Sequence, residues 1–165
     1  MNNNKKVDCC FLVTSNSKKS YQSLSSKYSA IEPPTWALLL SQSMRSFGFN
    51  VKIIDANAEE LNENEIYEKV KIISPRLICF VVYGQNVNAG TTNMSGTILV
   101  SKYLKSKKVD IPISIIGSHV QALPIETLNK EESLDFVFTN EGVYSLKNVL
   151  KLENISTVNL KDVKG

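Results

Sequence analysis

LICFVVYGQNVN, residues 77–88, is the stretch of the sequence that decides the predicted fold. Its first half, Leu77 to Val82, is a continuous apolar run rich in β-branched residues, the pattern of a central parallel strand covered on both faces. A polar, glycine-containing segment follows and extends from Tyr83 to Asn93. Ligand-binding loops lie at this position in open α/β sheets. The stretch therefore predicts a parallel sheet and a binding loop at its edge.

Four other segments have strand character and alternate with helical patterns. They are Val7–Thr14 and residues 50–56, 113–117 and 134–139. This alternation argues for a parallel sheet with helices on both faces and right-handed crossovers. We predict an α/β, flavodoxin-like (Rossmann-type) three-layer sandwich with a five-stranded parallel sheet in the order 2-1-3-4-5. The first and third strands would flank the switch point, where the loops that follow them form a crevice.

Five helices are predicted between and after these strands. They begin at Pro33, at Asn62, at about Met94, at Pro124 and at about Val143. In the third helix, Leu99 and Tyr103 are expected on one apolar face. The predicted apolar stripe of the first helix is Trp36, Leu39, Leu40, Met44 and Phe47.

Composition predicts one soluble domain that binds neither nucleic acid nor membrane. The chain has 165 residues, of which 42% are hydrophobic and 21% charged, enough for a single core. Its net charge of +3 is spread along the chain, without the clustered arginines that bind phosphates. Asp8 interrupts the N-terminal apolar run, and no stretch approaches the roughly 18 apolar residues of a membrane helix. We therefore predict a cytoplasmic protein.

Several ligand classes common in this fold do not match the residues present. A phosphate-accepting receiver domain needs acidic residues after the first strand, where this chain has Thr14 and Ser15. Neither a G-x-G-x-x-G fingerprint nor a Walker loop is present, so nicotinamide cofactors and nucleotide hydrolysis are not favoured. TSNSKKS, residues 14–20, has the composition of a flavin phosphate loop but lacks a helix directly after it. A flavin-binding or ligand-free interaction domain stays an alternative.

His119 is the only histidine, and it follows the predicted fourth strand. Pairing with Ser118 in catalysis is not favoured, because neighbouring loop side chains point apart and no G-x-S-x-G elbow is present. A structural role for His119 and direct contact with a ligand both stay open. The three cysteines, Cys9, Cys10 and Cys79, match neither a disulfide framework nor a zinc site, and we predict buried structural thiols.

Five segments, by their order and spacing, resemble the N-terminal cobalamin-binding domain of cobalamin-dependent radical SAM enzymes of the methyltransferase-like class. They are EPPTWALLL (32–40), NVKIIDANAEEL (50–61), VYGQNVNAGT (82–91), IIGSHVQALPIETL (115–128) and FVFTNEGVYSL (136–146). The resemblance runs from about Val7 to Leu152. It implies that cobalamin binds with its corrin over the C-terminal ends of the strands.

The resemblance also implies how cobalt is bound. In cobalamin mutases and methionine synthase, a D-x-H-x-x-G motif after the first strand supplies a histidine to cobalt. The corresponding loop here, TSNSKKSYQSL (14–24), contains no histidine. Base-off cobalamin with no protein histidine on cobalt is therefore expected. His119 matches the family's G-G-x-H-x-x-x-x-P loop and would contact the corrin periphery or the nucleotide tail.

The cofactor-binding residues follow from the same segments. Glu141 and Gly142 match the family's G-E-G turn, although Asn140 replaces its first glycine and Ile116 replaces the first glycine of the histidine loop. No catalytic residue and no metal ligand are predicted. The predicted cofactor-binding residues are Thr14, Asn16, Pro33, Tyr83, Gly84, Gln85, Asn86, Val87, Gly117, Ser118, His119, Glu141 and Gly142.

The predicted organisation is a cobalamin-binding domain, residues 1–152, followed by a tail or linker, residues 153–165, towards a catalytic domain. The chain lacks the C-x-x-x-C-x-x-C thiolates of a [4Fe-4S] cluster, so it is not expected to cleave S-adenosylmethionine alone. S-adenosylmethionine and the cluster would belong to a radical SAM catalytic domain in the same or another chain. A stand-alone cobalamin carrier or sensor is the alternative. The long loop at residues 15–32 is expected to be mobile without cofactor.

Overall fold

The computed structural model describes residues 6–14, 33–83, 87–156 and Val163, with side chains from residue 93 onward in the helix that begins at Val87. Its centre is a five-stranded sheet in the order β2-β1-β3-β4-β5, and every strand pair is parallel. The strands are β1 (Cys9–Val13), β2 (Val51–Asp55), β3 (Ile78–Val82), β4 (Ile113–Gly117) and β5 (Phe136–Phe138). The predicted α/β fold and strand order are confirmed.

The central strands are covered on both faces, as the apolar run predicted. Every residue of β3 is buried, and β3 pairs with β1 through Phe11 and Cys79 and with β4 through Phe80 and Ile115. Successive side chains of a strand point to opposite faces, so each strand contributes to two separate cores. Phe11 and Val81 therefore lie in one core and Phe80 in the other.

Six helices cover the sheet in the described part of the chain. They are α1 (Thr35–Ser46), α2 (Glu63–Ile73), α3 (Val87–Ser106), α4 (Ser118–Ala122), α5 (Pro124–Lys130) and α6 (Val143–Leu150). α1 and α6 contact each other, and residues of both lie in the core that includes Phe11. Residues of α2, α3 and α4 line the core that includes Phe80. Ile155 is buried in the first of these cores, and Val163 packs against it.

Helix boundaries differ from the prediction in two places. α3 begins at Val87, two turns before Met94, because the polar residues of its first turns carry no apolar periodicity. α4 was not predicted at all, since a five-residue helix is too short to show a hydrophobic period.

The predicted capping box of α2 is confirmed: the Asn62 side chain accepts from the Glu65 backbone N–H, and the Glu65 carboxylate accepts from the Asn62 backbone N–H.

The predicted apolar stripe of α1 is wrong in three of its five members. Trp36, Leu39 and Phe47 are exposed, whereas Leu40 and Met44 are buried as expected. Small residues, Ala37 and Ser41, complete the buried face because they let the helix approach the sheet closely. In α3 the predicted face is likewise shifted: Leu99 is 45% exposed, and the buried positions are Met94, Gly96, Thr97, Val100, Ser101 and Leu104.

At the N-terminal edge of the sheet, charged side chains hydrogen-bond to several elements. The guanidinium of Arg76 donates to the backbone carbonyls of Leu150, Leu152 and Glu153 at the end of α6. It also lies 3.3 Å from the Asp8 carboxylate, whose other oxygen accepts from the backbone N–H of Asn50. These bonds join the start of β1, the start of β2 and the end of α6 without leaving a buried charge unpaired.

The three cysteines are free and buried, as predicted. Burial raises the pKa of Cys10 and of Cys79 to about 12, so neither thiol ionises near neutral pH. All three side chains pack in the two cores, Cys9 and Cys79 in one and Cys10 in the other. Among the residues that the structure describes, no helix is both long and apolar enough to cross a membrane.

Candidate functional site

Described members of the predicted set lie at the C-terminal edge of the sheet because all five strands run in the same direction. Thr14 follows β1, Tyr83 follows β3, Gly117 ends β4 and Ser118 begins α4. The turn after β5, residues 139–142, lies at the same edge and leads into α6. Residues 14 and 142, which are 128 positions apart in the sequence, therefore lie at the same edge of the sheet.

Tyr83 connects three elements at this edge. Its ring stacks on Trp36 at the start of α1, with 4.5 Å between ring centroids and 25° between planes. Its hydroxyl donates to the carbonyl oxygen of Asn140 at 3.3 Å. Burial raises the pKa of Tyr83, and the nearby Glu141 carboxylate raises it further. The phenol is therefore a neutral hydrogen-bond donor, and its ring is part of an aromatic surface beside the crevice.

Two of the three predicted glycines, Gly117 and Gly142, are required by the fold itself. A Cβ at residue 117 would overlap the backbone carbonyl of Val82 on the neighbouring strand. Gly142 has φ +65° and begins α6, and a Cβ there would overlap the side chain of Ile116. Both positions therefore let neighbouring strands and turns approach closely, which shapes the edge even before any ligand contact is considered.

Ser118 presents a buried hydroxyl with no hydrogen-bond partner in the described part of the chain. It begins α4 directly after β4, so it lies at the C-terminal edge. An unmade hydrogen bond on a buried hydroxyl costs about 1–3 kcal/mol, which makes such a group uncommon in a finished core. A polar group of a ligand at this edge would satisfy it.

The remaining predicted residues divide into described and undescribed positions. The hydroxyl of Thr14 is 2.8 Å from that of Thr97 on α3, a structural bond between β1 and α3. Pro33 is exposed just before α1, and its carbonyl accepts from the backbone N–H of Thr35. His119 is half-buried in the short helix α4. Asn16, Gly84, Gln85, Asn86 and the side chain of Val87 lie outside the described residues, as does the loop at residues 15–32.

An open groove of about 510 Å³ lies beside the turn after β5. We call it the β5–α6 groove. It contains the predicted residues Glu141 and Gly142, and Glu141 is the only charged residue in the described part of its lining. The described lining residues are Gln121, Thr139, Asn140, Glu141, Gly142, Val143, Tyr144 and Ser145.

The prediction missed Trp36, Gln121 and Tyr144 as residues of this edge. Trp36 was assigned to the buried stripe of α1, but it is 42% exposed and stacks on Tyr83. The position of Trp36 in the first turn of α1, after the predicted switch-point loop, is the sequence feature that could have indicated a place in the site. Gln121 was not found because α4 itself was not predicted.

Comparison with known protein families identifies the family of this domain. A model of the B12-binding domain family matches residues 23–150. The chain belongs to this family. The predicted resemblance and the predicted cofactor, cobalamin, are thereby confirmed. A search of curated proteins found no match.

Two solved structures of OxsB, a cobalamin-dependent S-adenosylmethionine radical enzyme, share the fold of this B12-binding domain. The form with aqua-cobalamin and S-adenosylmethionine bound has a TM-score of 0.66 and 17% sequence identity. The apo, selenomethionine-labelled form has a TM-score of 0.55 and 16% identity. Each comparison covers 97% of this chain and 20% of OxsB, so the chain spans about a fifth of that enzyme's length.

The described residues of the B12-binding domain fit a corrinoid. Ser118 offers a buried hydroxyl without a partner, and Tyr83 and Trp36 offer an aromatic surface at the same edge. Large cofactors bind by such a combination of apolar area and a few placed polar groups.

Proposed function

We propose that this B12-binding domain is the cofactor-binding module of a larger radical SAM enzyme that transfers methyl groups. The single observation that carries the proposal is the family match over residues 23–150. The similar fold within OxsB, of which the domain spans a fifth, supports a catalytic partner domain in the same or another chain. The chain's three cysteines are buried in the sheet, which leaves the iron–sulfur cluster and S-adenosylmethionine to that partner.

The module would hold cobalamin base-off, without a protein histidine on cobalt. His119 is the only histidine, and it lies on α4 after β4. The loop that follows β1, from which an imidazole could reach the crevice between β1 and β3, has no histidine in its sequence. When bound, cobalamin would supply a cobalt that accepts and donates a methyl group. The domain's own part is to bind, orient and shield the corrin.

Three described features would share this task. The Ser118 hydroxyl would donate to a polar group of the cofactor, which removes the cost of its unmade hydrogen bond. Trp36 and Tyr83 would cover apolar corrin surface and exclude water from it. Gly117 has no side chain at the end of β4, so it would leave room for the corrin and lets β3 and β4 approach closely. These contacts would be made by residues 1–152, with residues 153–165 leading to the partner domain.

Binding of hydroxocobalamin tests the proposal directly. The purified protein should retain the red pigment after gel filtration, with the absorption spectrum of base-off cobalamin. A protein that stays colourless, or that shows only an FMN spectrum, would exclude the proposed function. A bound cofactor with a base-on spectrum, or with a histidine on cobalt, would exclude only the proposed cobalt coordination.

Two serines give a matched pair of variants for the site. Ser118 and Ser41 both have a buried hydroxyl without a partner in the described residues, but Ser41 lies in the core face of α1. Ser118→Ala should weaken hydroxocobalamin binding by roughly tenfold, the value of about one hydrogen bond. Ser41→Ala should leave the dissociation constant unchanged. Equal affinities of the two variants, measured by absorbance titration, would show that Ser118 does not contact the cofactor.

A further inference from the structure

The β5–α6 groove has hydrogen-bonding groups that the contacts proposed above do not use. It adjoins the crevice, because the Tyr83 hydroxyl bonds to Asn140 in the groove wall. Gln121 also lines the groove, and it follows Ser118 by three residues in α4 and so lies on the same side of that helix. The unpartnered Ser118 hydroxyl and the groove therefore lie next to each other at one edge of the sheet.

The groove offers donors and acceptors together. Among the described residues, no side chain caps the first turn of α6, so the backbone N–H groups of Val143 and Tyr144 are offered as donors. The Glu141 carboxylate is an acceptor, and the Gln121 amide can donate and accept. A neutral primary amide has one acceptor oxygen and two N–H donors, so it matches this set of groups.

The charge of the described lining residues disfavours an anion. The helix N-terminus contributes roughly half a positive charge, whereas Glu141 contributes a full negative charge. Lys147, one turn along α6, is not among the described lining residues, and its ammonium lies over two rings, 4.3 Å from the centroid of Phe47 and 5.6 Å from that of the groove residue Tyr144. A carboxylate in the groove would therefore meet repulsion that an amide would not.

We propose that the β5–α6 groove holds a carboxamide side chain of the corrin rim, and that Glu141 makes this domain select amidated corrinoids over carboxylate-bearing ones. The rim of cobalamin carries acetamide and propionamide side chains, whose hydrolysis products bear a carboxylate in place of one amide. Glu141 is thus a specificity-determining residue. The inference rests on the proposed function, since it requires that the corrin lie over the crevice beside the groove.

The test compares cobalamin with its three monocarboxylic acids, each made by hydrolysis of one propionamide. Dissociation constants are measured by absorbance titration at low ionic strength. The wild-type protein should bind one of the three acids about fivefold more weakly than cobalamin, the factor expected for a like charge near 4 Å in a water-accessible site. The other two acids, whose carboxylates lie elsewhere on the rim, should bind like cobalamin, and the difference should shrink in high salt.

Glu141→Gln should abolish this discrimination, and the helix N-terminus should then favour the acid that the wild type disfavours. Glu126→Gln is the matched control, because Glu126 is exposed on α5 and does not line the groove. It should keep the wild-type ratio of affinities. Equal binding of all three acids by the wild type, or unchanged discrimination in Glu141→Gln, would overturn the inference while leaving cobalamin binding intact. Failure to bind cobalamin itself would instead overturn the proposed function and this inference with it.

Discussion

The two edges of the sheet differ in how completely their polar groups are bonded. At the N-terminal edge, Arg76 donates to three carbonyls and pairs with Asp8, while the Asp135 carboxylate accepts from Ile113 and from Lys105. At the C-terminal edge, the Ser118 hydroxyl has no partner in the described residues, and Trp36 is exposed. The difference indicates that one edge is built for stability and that the other is completed by a ligand.

The largest effect is expected from breaking the N-terminal edge. Arg76→Met removes the ion pair with Asp8 and leaves three carbonyls without their donor. It should lower the free energy of unfolding by about 3 kcal/mol. Urea unfolding followed by circular dichroism measures this, and hydroxocobalamin affinity below the transition should not change.

Arg45→Met is the matched control for this comparison. Arg45 makes one long hydrogen bond, 3.4 Å from its guanidinium to the carbonyl of Val51. We expect a loss of at most about 1 kcal/mol. Similar losses from the two arginine variants would contradict the view that the Arg76 cluster is what closes this edge.

An intermediate effect is expected from Gly117→Ala at the C-terminal edge. The new Cβ would overlap the Val82 carbonyl, so β3 and β4 must separate, at a cost of about 2 kcal/mol. Because the shift occurs beside Tyr83 and Ser118, hydroxocobalamin affinity should fall as well. Differential scanning calorimetry and absorbance titration measure the two effects on the same sample.

Gly48→Ala is the control that distinguishes a general loss of stability from a local change of shape at the candidate site. Gly48 has φ +90° at the end of α1, and a Cβ there would meet no atom within 4 Å. The substitution should cost about 1 kcal/mol through backbone strain alone and leave cofactor affinity unchanged. An affinity loss as large as that of Gly117→Ala would mean that global destabilisation, not local shape, explains both.

The smallest effect on stability is expected from Tyr83→Phe, which keeps the stack on Trp36 and removes the bond to Asn140. It should cost about 1 kcal/mol or less, while hydroxocobalamin affinity falls several-fold because the turn after β5 loses its anchor. Tyr103→Phe is the control, since its hydroxyl bonds to Asn64 between α3 and α2. If both variants bind the cofactor like the wild type, the Tyr83 hydroxyl has no part in the site.

The fold was predictable because the strands have a recognisable apolar sequence pattern. The continuous apolar run at residues 77–82, rich in β-branched residues, is typical of a strand buried on both faces, and the capping box at Asn62 marks the start of α2 by direct hydrogen bonds. The inner face of α1 was not predictable, because size as well as polarity decides it. Ala37 and Ser41 face the sheet since they let the helix come close, and this displaces Trp36 and Leu39 to the surface.

The site was predictable in position but not in bonding. Strand order places Tyr83, Ser118 and Glu141 at one edge, and the sequence alone carries that information. Which hydroxyls are already bonded depends on contacts between distant residues. Thr14 bonds to Thr97, 83 residues away, whereas Ser118 finds no partner in the described residues. No local pattern distinguishes these two side chains.

The stack of Trp36 on Tyr83 also gives the molecule an optical reporter. Trp36 is the only tryptophan of the chain, so all indole emission comes from the edge that we assign to the corrin. Corrinoids absorb in the near-ultraviolet range where indole emits, and energy transfer at such short range would quench that emission almost fully. Cofactor binding to this domain can thus be followed in the unlabelled protein, at a single residue of the candidate site.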